Sequence, residues 1–558
     1  MLNRANSVMI FFILSGVSLH AQAPAFTRAD TLRGMLTPLR TCYDVNYYHL
    51  SVKVDTAART IEGSNTIRFA VVNDFDVMQV DLFENMKIHR ITYEGSELRY
   101  DRELGAMYIH FAKKLKRKAM HEITIEYSGI PQEAKRPPWE GGFTWTHDAE
   151  GNPWIAVTCQ GTGASLWWPN KDHQSDEPDS MLLGVTVPSN LMDVSNGRLR
   201  SKADLGNGLT RYNWFISHPI NNYNVTLNIG KFAHFGDTYM SGRDVLTLDY
   251  YVMPENLEKA RRQFDQVKPM MACFEKFFGP YPFIRDGFKL IESPHNGMEH
   301  QSAVAYGNRY VLGYRGNASS EVGLMFDFII IHESAHEWWG NSVTSNDIAD
   351  MWIHESFGAY AEAVYVECLY GYDKAMSYVN GKKSGVLNDR PIIGAYGVHN
   401  RGSGDMYNKG QLVLNTLRHV VDNDSLWWDI VKSIPERFKY SSIDAEDIFK
   451  FVNQKTGSDY SYFFEQYLKR ANPPRLETVV TKKGQAVELR HRWVAEVEDF
   501  RMPIKVTGGD GTYVFIHPTT SWQTIRLDKI DPEKFRVAEN QFYVEVKTSI
   551  KYVDPAME

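Results

Sequence analysis

The stretch FDFIIIHESAHEWWGN, Phe326 to Asn341, sets His332, Glu333 and His336 inside an otherwise greasy segment. Burying such groups costs free energy unless they are paired or bound to a metal, so whatever fold this chain takes must supply one or the other here. His332 and His336 are spaced i, i+4, which on a helix projects both imidazoles from one face about 6 Å apart, close enough to chelate one ion. Glu333 would flank that ion without binding it, where a base acting on metal-bound water belongs. Two core histidines satisfied by hydrogen bonds are the competing reading of the pair taken alone.

A third ligand is within reach. After 18 intervening residues, Glu355 lies near the start of the next predicted helix, and an antiparallel helix pair would bring it back to the histidines. Two His and one Glu make a three-ligand zinc site with a fourth position open for water, although cobalt and manganese accept the same donors. Glu362, seven residues further on, falls on the same helical face and can accept a hydrogen bond from a ligand histidine. An ordinary salt bridge is its alternative. His354 is a ligand candidate by residue type, but its neighbour Glu355 fits the spacing better.

At 558 residues the chain exceeds one hydrophobic core and suggests about three or four domains. A signal peptide over 1–23 is expected, with Arg4, an apolar run from Val8 to Val17 and small residues at Ala21 and Ala23. No later stretch reaches the ~18 apolar residues of a membrane span and no cysteine follows the run to take a lipid, so export in soluble form, to the periplasm or beyond, is the expectation. From Tyr43 the chain alternates apolar and polar residues between turns, predicting an all-β domain over 24–237. Helical period follows, with segments at 254–278, 322–340, 350–370, 409–421 and 444–470. NPP at 472–474 then stops the helix, and renewed alternation predicts a small C-terminal β-sandwich over 475–558. The fold class is multidomain α+β.

A formal net charge of −7 argues against a nucleic-acid partner, and the one basic run, KKLKRK at 113–118, reads as a solvated β-turn. Cys42, Cys159, Cys273 and Cys368 are too few for a disulfide framework, although an oxidising compartment would allow a bridge. Their pairing and the oligomeric state are not legible.

His-Glu-x-x-His, 18 residues, then Glu resembles the zinc aminopeptidases of the aminopeptidase N and leukotriene hydrolase group. SPHNGMEHQSAVAYG is similar to that family's Gly-x-Met-Glu-Asn strand, which implies that Gly297 and Met298 line the substrate and Glu299 holds its free α-amine. MYNKG resembles the Tyr-x-Lys-Gly that puts Tyr407 at the oxyanion. CQGTGASLWWPNKDHQSDEP resembles the loop reaching over from the β-domain, with Gln160 helping to bind the substrate N-terminus. YDVNYYHLSVKV and VSNGRL are similar to landmarks of the family's N-terminal domain. The likeness covers about 43–470 and implies a thermolysin-like catalytic domain over 238–471. Asn296 and His300 stand where the family has Gly and Asn, which implies an altered pocket beside the peptide-pairing strand. Larger members carry a long helical C-terminal domain, so a more open cleft is expected here.

The resemblance implies a zinc-dependent metallopeptidase acting on peptides with a free N-terminus, one zinc per chain, with metal-bound water as nucleophile, Glu333 as general base and Tyr407 donating to the oxyanion. Two alternatives stand beside it. A thermolysin-type endopeptidase shares the metal triad but has no use for an amine anchor, and a zinc-stabilised binding protein needs neither Glu333 nor Tyr407.

Overall fold

The computed structural model describes residues 26–483, 486–509, 511–528 and 530–552. The signal-peptide segment lies outside them. Two short helices, Arg28–Gly34 and Pro38–Thr41, precede the first strand. The alternation read from Tyr43 onward then forms an eight-stranded sheet, in which Tyr43–Asp55 pairs antiparallel with Thr60–Val71 and parallel with Ser180–Pro188. Tyr48, Leu50, Val52 and Val54 turn to one face of that strand and are buried, as a period of two requires. A three-stranded sheet and a four-stranded sheet complete this region, the latter holding Pro153–Thr158, the strand that leads to Gln160. KKLKRK is half strand and half turn: its first three residues end the strand Ala106–Leu115, and Lys116 in the following turn pairs with Asp74 at 2.8 Å.

A five-stranded sheet follows: β1 (Ala233–Ser241), β2 (Asp244–Val252), β3 (Phe288–Glu292), β4 (Gly297–Met298) and β5 (Val304–Tyr306), in the order β1-β2-β3-β5-β4. The expected boundary at 237/238 falls inside β1. Gly242, with φ of +62°, makes the turn that pairs β1 with β2 from Ala233 to Ser241, so the strand belongs whole to the sheet of the helical region. Among the described residues β4 pairs only with β5 and forms the edge of this sheet.

Five helices matter for the site: α1 (Val267–Phe278), α2 (Phe328–Ala335), α3 (Trp352–Tyr370), α4 (Tyr372–Gly381) and α5 (Asn408–Val421). α2 is shorter than the 322–340 expected. Asp327 caps it, its carboxylate accepting from the amides of Ile329 (3.0 Å) and Ile330 (3.3 Å), and Gly340 at φ +122° turns the chain away after its end. The segment 444–470 is likewise two helices, Ala445–Thr456 and Ser461–Leu468, divided by Gly457 in the left-handed region. α4 and the helix Asp424–Arg437 were not anticipated.

Two buried cores organise the chain. One fills the N-terminal sheets and takes in Met298, Ala303 and Ala305 from the end of the five-stranded sheet. The other runs through the helices into the C-terminal region, where a four-stranded sheet and the hairpin Ile504–Thr507/Tyr513–Ile516 carry the predicted strands. β4 thus sits at the junction between the N-terminal sheets and α2.

Candidate metal centre and active site

His332 lies in the last turn of α2 and His336 at its C-cap, so one helix end presents both rings. Their Nε2 atoms are 3.3 Å apart and lie 3.7 and 3.5 Å from Oε2 of Glu355, which α3 brings back antiparallel. Gly358 makes that approach possible, because a Cβ there would stand 2.8 Å from Cε1 of His336. Each histidine is oriented through its other nitrogen: Nδ1 of His332 donates to Oε1 of Glu362 (2.7 Å) and Nδ1 of His336 to the carbonyl of Trp339 (2.8 Å). Both Nε2 atoms therefore face Glu355.

The donors fit a divalent cation. Oε2 of Glu355 is buried and has no hydrogen-bond partner among the described residues, so this carboxylate oxygen converges with two imidazole nitrogens on one place. Burial alone would lower the pKa of both histidines, but Glu355 and Glu362 outweigh it at His332, holding it well above the ordinary range, and Glu355 followed by Glu299 outweighs it at His336, holding it at about 9. Glu355 is pushed up by burial and pulled further down by the two histidines. A bound cation serves the same carboxylates in place of those protons.

Glu333 points into the cleft beside β4. Burial, followed by Glu299, raises its carboxyl to about 7, although His332 acts against this. A Cβ on Gly297 would stand 2.5 Å from Oε1 of Glu333, so glycine at this edge-strand position admits the carboxylate. Met298 is buried under the N-terminal core and Glu299 follows it, its own pKa raised by burial. Gln160 reaches over from the β-region and its Nε2 donates both to Oε1 of Glu299 and to Oε1 of Glu355 (2.8 Å). Glu299 also accepts from the hydroxyl of Tyr223 at 3.2 Å, while Asn341 holds its carbonyl at 2.9 Å. Tyr407 precedes α5, its ring 6.0 Å from that of His332, and its hydroxyl is raised by burial and then by Glu355. All ten predicted site residues line one cleft of about 540 Å³.

His354 is not among the converging donors: its Nε2 accepts from the amide of Ser345 at 2.9 Å, and burial lowers its pKa to about 3. The two departures from the family motif differ in kind. Asn296 lines the cleft and donates to the hydroxyl of Tyr314 (2.7 Å), whereas His300 is buried outside its lining, with no partner on either ring nitrogen among the described residues. Tyr223, Tyr378 and Lys382 were missed. Tyr378 donates to Oε2 of Glu362 at 2.6 Å and Lys382 pairs with the same oxygen at 3.0 Å, contacts for which no spacing in the sequence gives a signal.

The family model described as "Peptidase family M1 domain" matches residues 262–467, and that described as "Peptidase M1 N-terminal domain" matches 44–223. The chain belongs to peptidase family M1. Among relatives of this M1 chain, endoplasmic reticulum aminopeptidase 1 of Mus musculus is 22% identical over 63% of the chain and 39% of its own length. Leukotriene A-4 hydrolase of Xenopus laevis is 22% identical over 75% of the chain and 68% of its own length. The chain thus spans well under two thirds of the mouse enzyme. A solved M1 zinc metallopeptidase from Deinococcus radiodurans shares the fold with a TM-score of 0.63 at 19% identity, covering 76% of this chain and 94% of its own.

Proposed function

We propose that the protein is an exported zinc aminopeptidase that removes the first residue of peptides. One observation carries this reading: Gln160 ties Glu299, a buried carboxylate suited to a substrate ammonium, to the ligand carboxylate of Glu355, so an amine anchor stands beside the metal set. An endopeptidase has no use for that anchor. The relatives named aminopeptidases, and the Deinococcus neighbour solved with a Tyr-Ser-Ala substrate, support the same reading.

Held by His332, His336 and Glu355, zinc would polarise the scissile carbonyl and acidify water. The chain's own residues do the rest. Glu299 and the amide oxygen of Gln160 receive the α-ammonium and fix its distance from the ligand set, so only the first peptide bond is in place. Glu333, facing the cleft past Gly297, takes the proton of the attacking water and delivers it to the leaving amine. Tyr407 donates to the tetrahedral oxyanion, a contact of a kind worth about 3 kcal/mol in the transition state. β4, an open sheet edge, offers backbone groups to pair with the peptide.

Export is supported by the character of residues 1–23 and by the Cys273–Cys368 disulfide, a bond kept in oxidising compartments. The deciding experiment compares an aminoacyl-anilide with its N-acetylated form: cleavage of the free amine alone is expected, and equal rates overturn the amine anchor. N-terminal sequencing of the secreted or periplasmic protein should begin after Ala23.

A further inference from the structure

The cleft is charged unevenly. Glu299, Glu333, Glu355 and Glu362 line it, and Lys382 is the only Lys or Arg doing so among the described residues. Its side chain is 13% exposed, and among the described residues its one oxygen partner is Glu362 at 3.0 Å. The ammonium otherwise lies over the rings of Tyr378 (4.7 Å) and Phe328 (5.2 Å). A lysine ammonium carries three donors, so pairing with one carboxylate oxygen leaves capacity for another acceptor.

Two helices act as rulers for where that capacity sits. α2 and α3 run antiparallel, His332 against Glu362 and His336 against Glu355. Glu299 lies at the His336 and Glu355 end, held by Asn341 and joined to Glu355 through Gln160. Lys382 lies at the other end, beside Phe328 and Glu362. Phe328 to His336 is eight residues along α2 and Glu355 to Glu362 seven along α3, which at ~1.5 Å per residue place the two ends about 10–12 Å apart. A fully extended chain advances ~3.3–3.6 Å per residue, so a tripeptide bound by its amine at Glu299 carries its far end about that distance, past His332 and towards Lys382.

We propose that Lys382 is a carboxylate-binding residue of the leaving-group side of the cleft, so that the enzyme prefers short peptides bearing a carboxylate two to three residues from the free amine. Resting on the aminopeptidase reading for its polarity, this deepens it by naming the substrate class. The shared chemistry is a carboxylate; its source is either the C-terminus of a short peptide or an acidic side chain. Pairing with Glu362 does not oppose such a ligand, because that carboxylate already accepts from His332 and Tyr378 as well.

The test is calorimetric binding to the zinc-loaded full chain carrying Glu333→Gln, which separates affinity from turnover. Ala-Ala-Ala is compared with Ala-Ala-Ala-amide, and Ala-Ala-Asp-amide with Ala-Ala-Asn-amide. At least one acid should bind roughly tenfold tighter than its neutral partner, the size of a charge-assisted hydrogen bond. The first pair reports a C-terminal carboxylate and the second an acidic side chain. Adding Lys382→Met should bring the acid-to-neutral ratio to about one, and Lys382→Arg should keep most of the preference. A ratio near one in both pairs without any Lys382 change overturns the proposal, whether or not the methionine variant folds. So does an equal loss for acid and neutral peptides on Lys382→Met, since a lysine that only props Glu362 cannot distinguish them. N-acetyl-Ala-Ala-Ala is the control for the underlying reading: if it binds as well as the free amine, the aminopeptidase reading fails while the Lys382 ratio stands or falls by itself. Absence of measurable binding by every peptide overturns both.

Discussion

Glu333 and Glu362 are both buried carboxylates that line the cleft of the metal-site histidines, yet their partners give them opposite roles. Glu362 accepts from Nδ1 of His332, from Tyr378 and from Lys382, and these, led by Lys382 against the penalty of burial, hold its carboxyl below the ordinary range. It fixes the His332 ring and is not among the three converging donors. Replacing it by alanine frees the His332 ring and strands two donors, so zinc affinity should fall 10–100-fold, measured by competition with a chromophoric chelator. Glu333 makes no such contact with a ligand nitrogen and faces the cleft over Gly297. Glu333→Gln keeps shape and polarity but removes the proposed base, so zinc content should stay near one per chain while kcat falls by about 10²–10⁴-fold. Retained turnover in that variant would show that the proton is taken elsewhere.

The element that couples these residues is the contact between edge strand β4 and helix α2. An alanine at 297 would push its Cβ to 2.5 Å from Oε1 of Glu333 and 2.9 Å from Cγ2 of Ile329, so strand or carboxylate must shift. A misplacement near 1 Å in a reacting group costs on the order of 100-fold, and Gly297→Ala should therefore lose kcat without losing zinc. This site was legible where chemistry leaves a spacing: His332, His336, Glu355 and Glu362 follow from helical period, and Glu299, Gln160 and Tyr407 from motifs. It was illegible where a role arises from contact between distant segments. Tyr223 reaches Glu299 across 76 residues and Lys382 reaches Glu362 from the turn after α4, and neither leaves a period or a turn signal. Helix lengths failed for a related reason, since the apolar run continues past Asp327 while the cap at Asp327 decides where α2 begins.

At the scale of the whole molecule, the metal set depends on α3 returning to α2, and a covalent link helps fix that return. Cys273 on α1 and Cys368 near the end of α3 form a disulfide across 95 residues, while Cys42 and Cys159 are free and buried. The loop so closed contains β3, β4, β5, α2 and most of α3, hence Glu299 and all three metal ligands. Closing a loop of that length restricts the unfolded chain by about 4–5 kcal/mol in the entropic account. Cys368 lies 13 residues beyond Glu355, roughly 20 Å along the helix, so breaking the bond leaves the ligand geometry intact and acts on stability. Cys273→Ser/Cys368→Ser, or mild reduction, should lower the Tm of the catalytic region by roughly 8–20 °C. Zinc content and kcat at low temperature should stay near their original values. Thiol titration of the unfolded, unreduced protein from an oxidising compartment should count two cysteines, and four after reductant. Four thiols before reduction would mean that the bridge does not form, and with it would go the structural support for export.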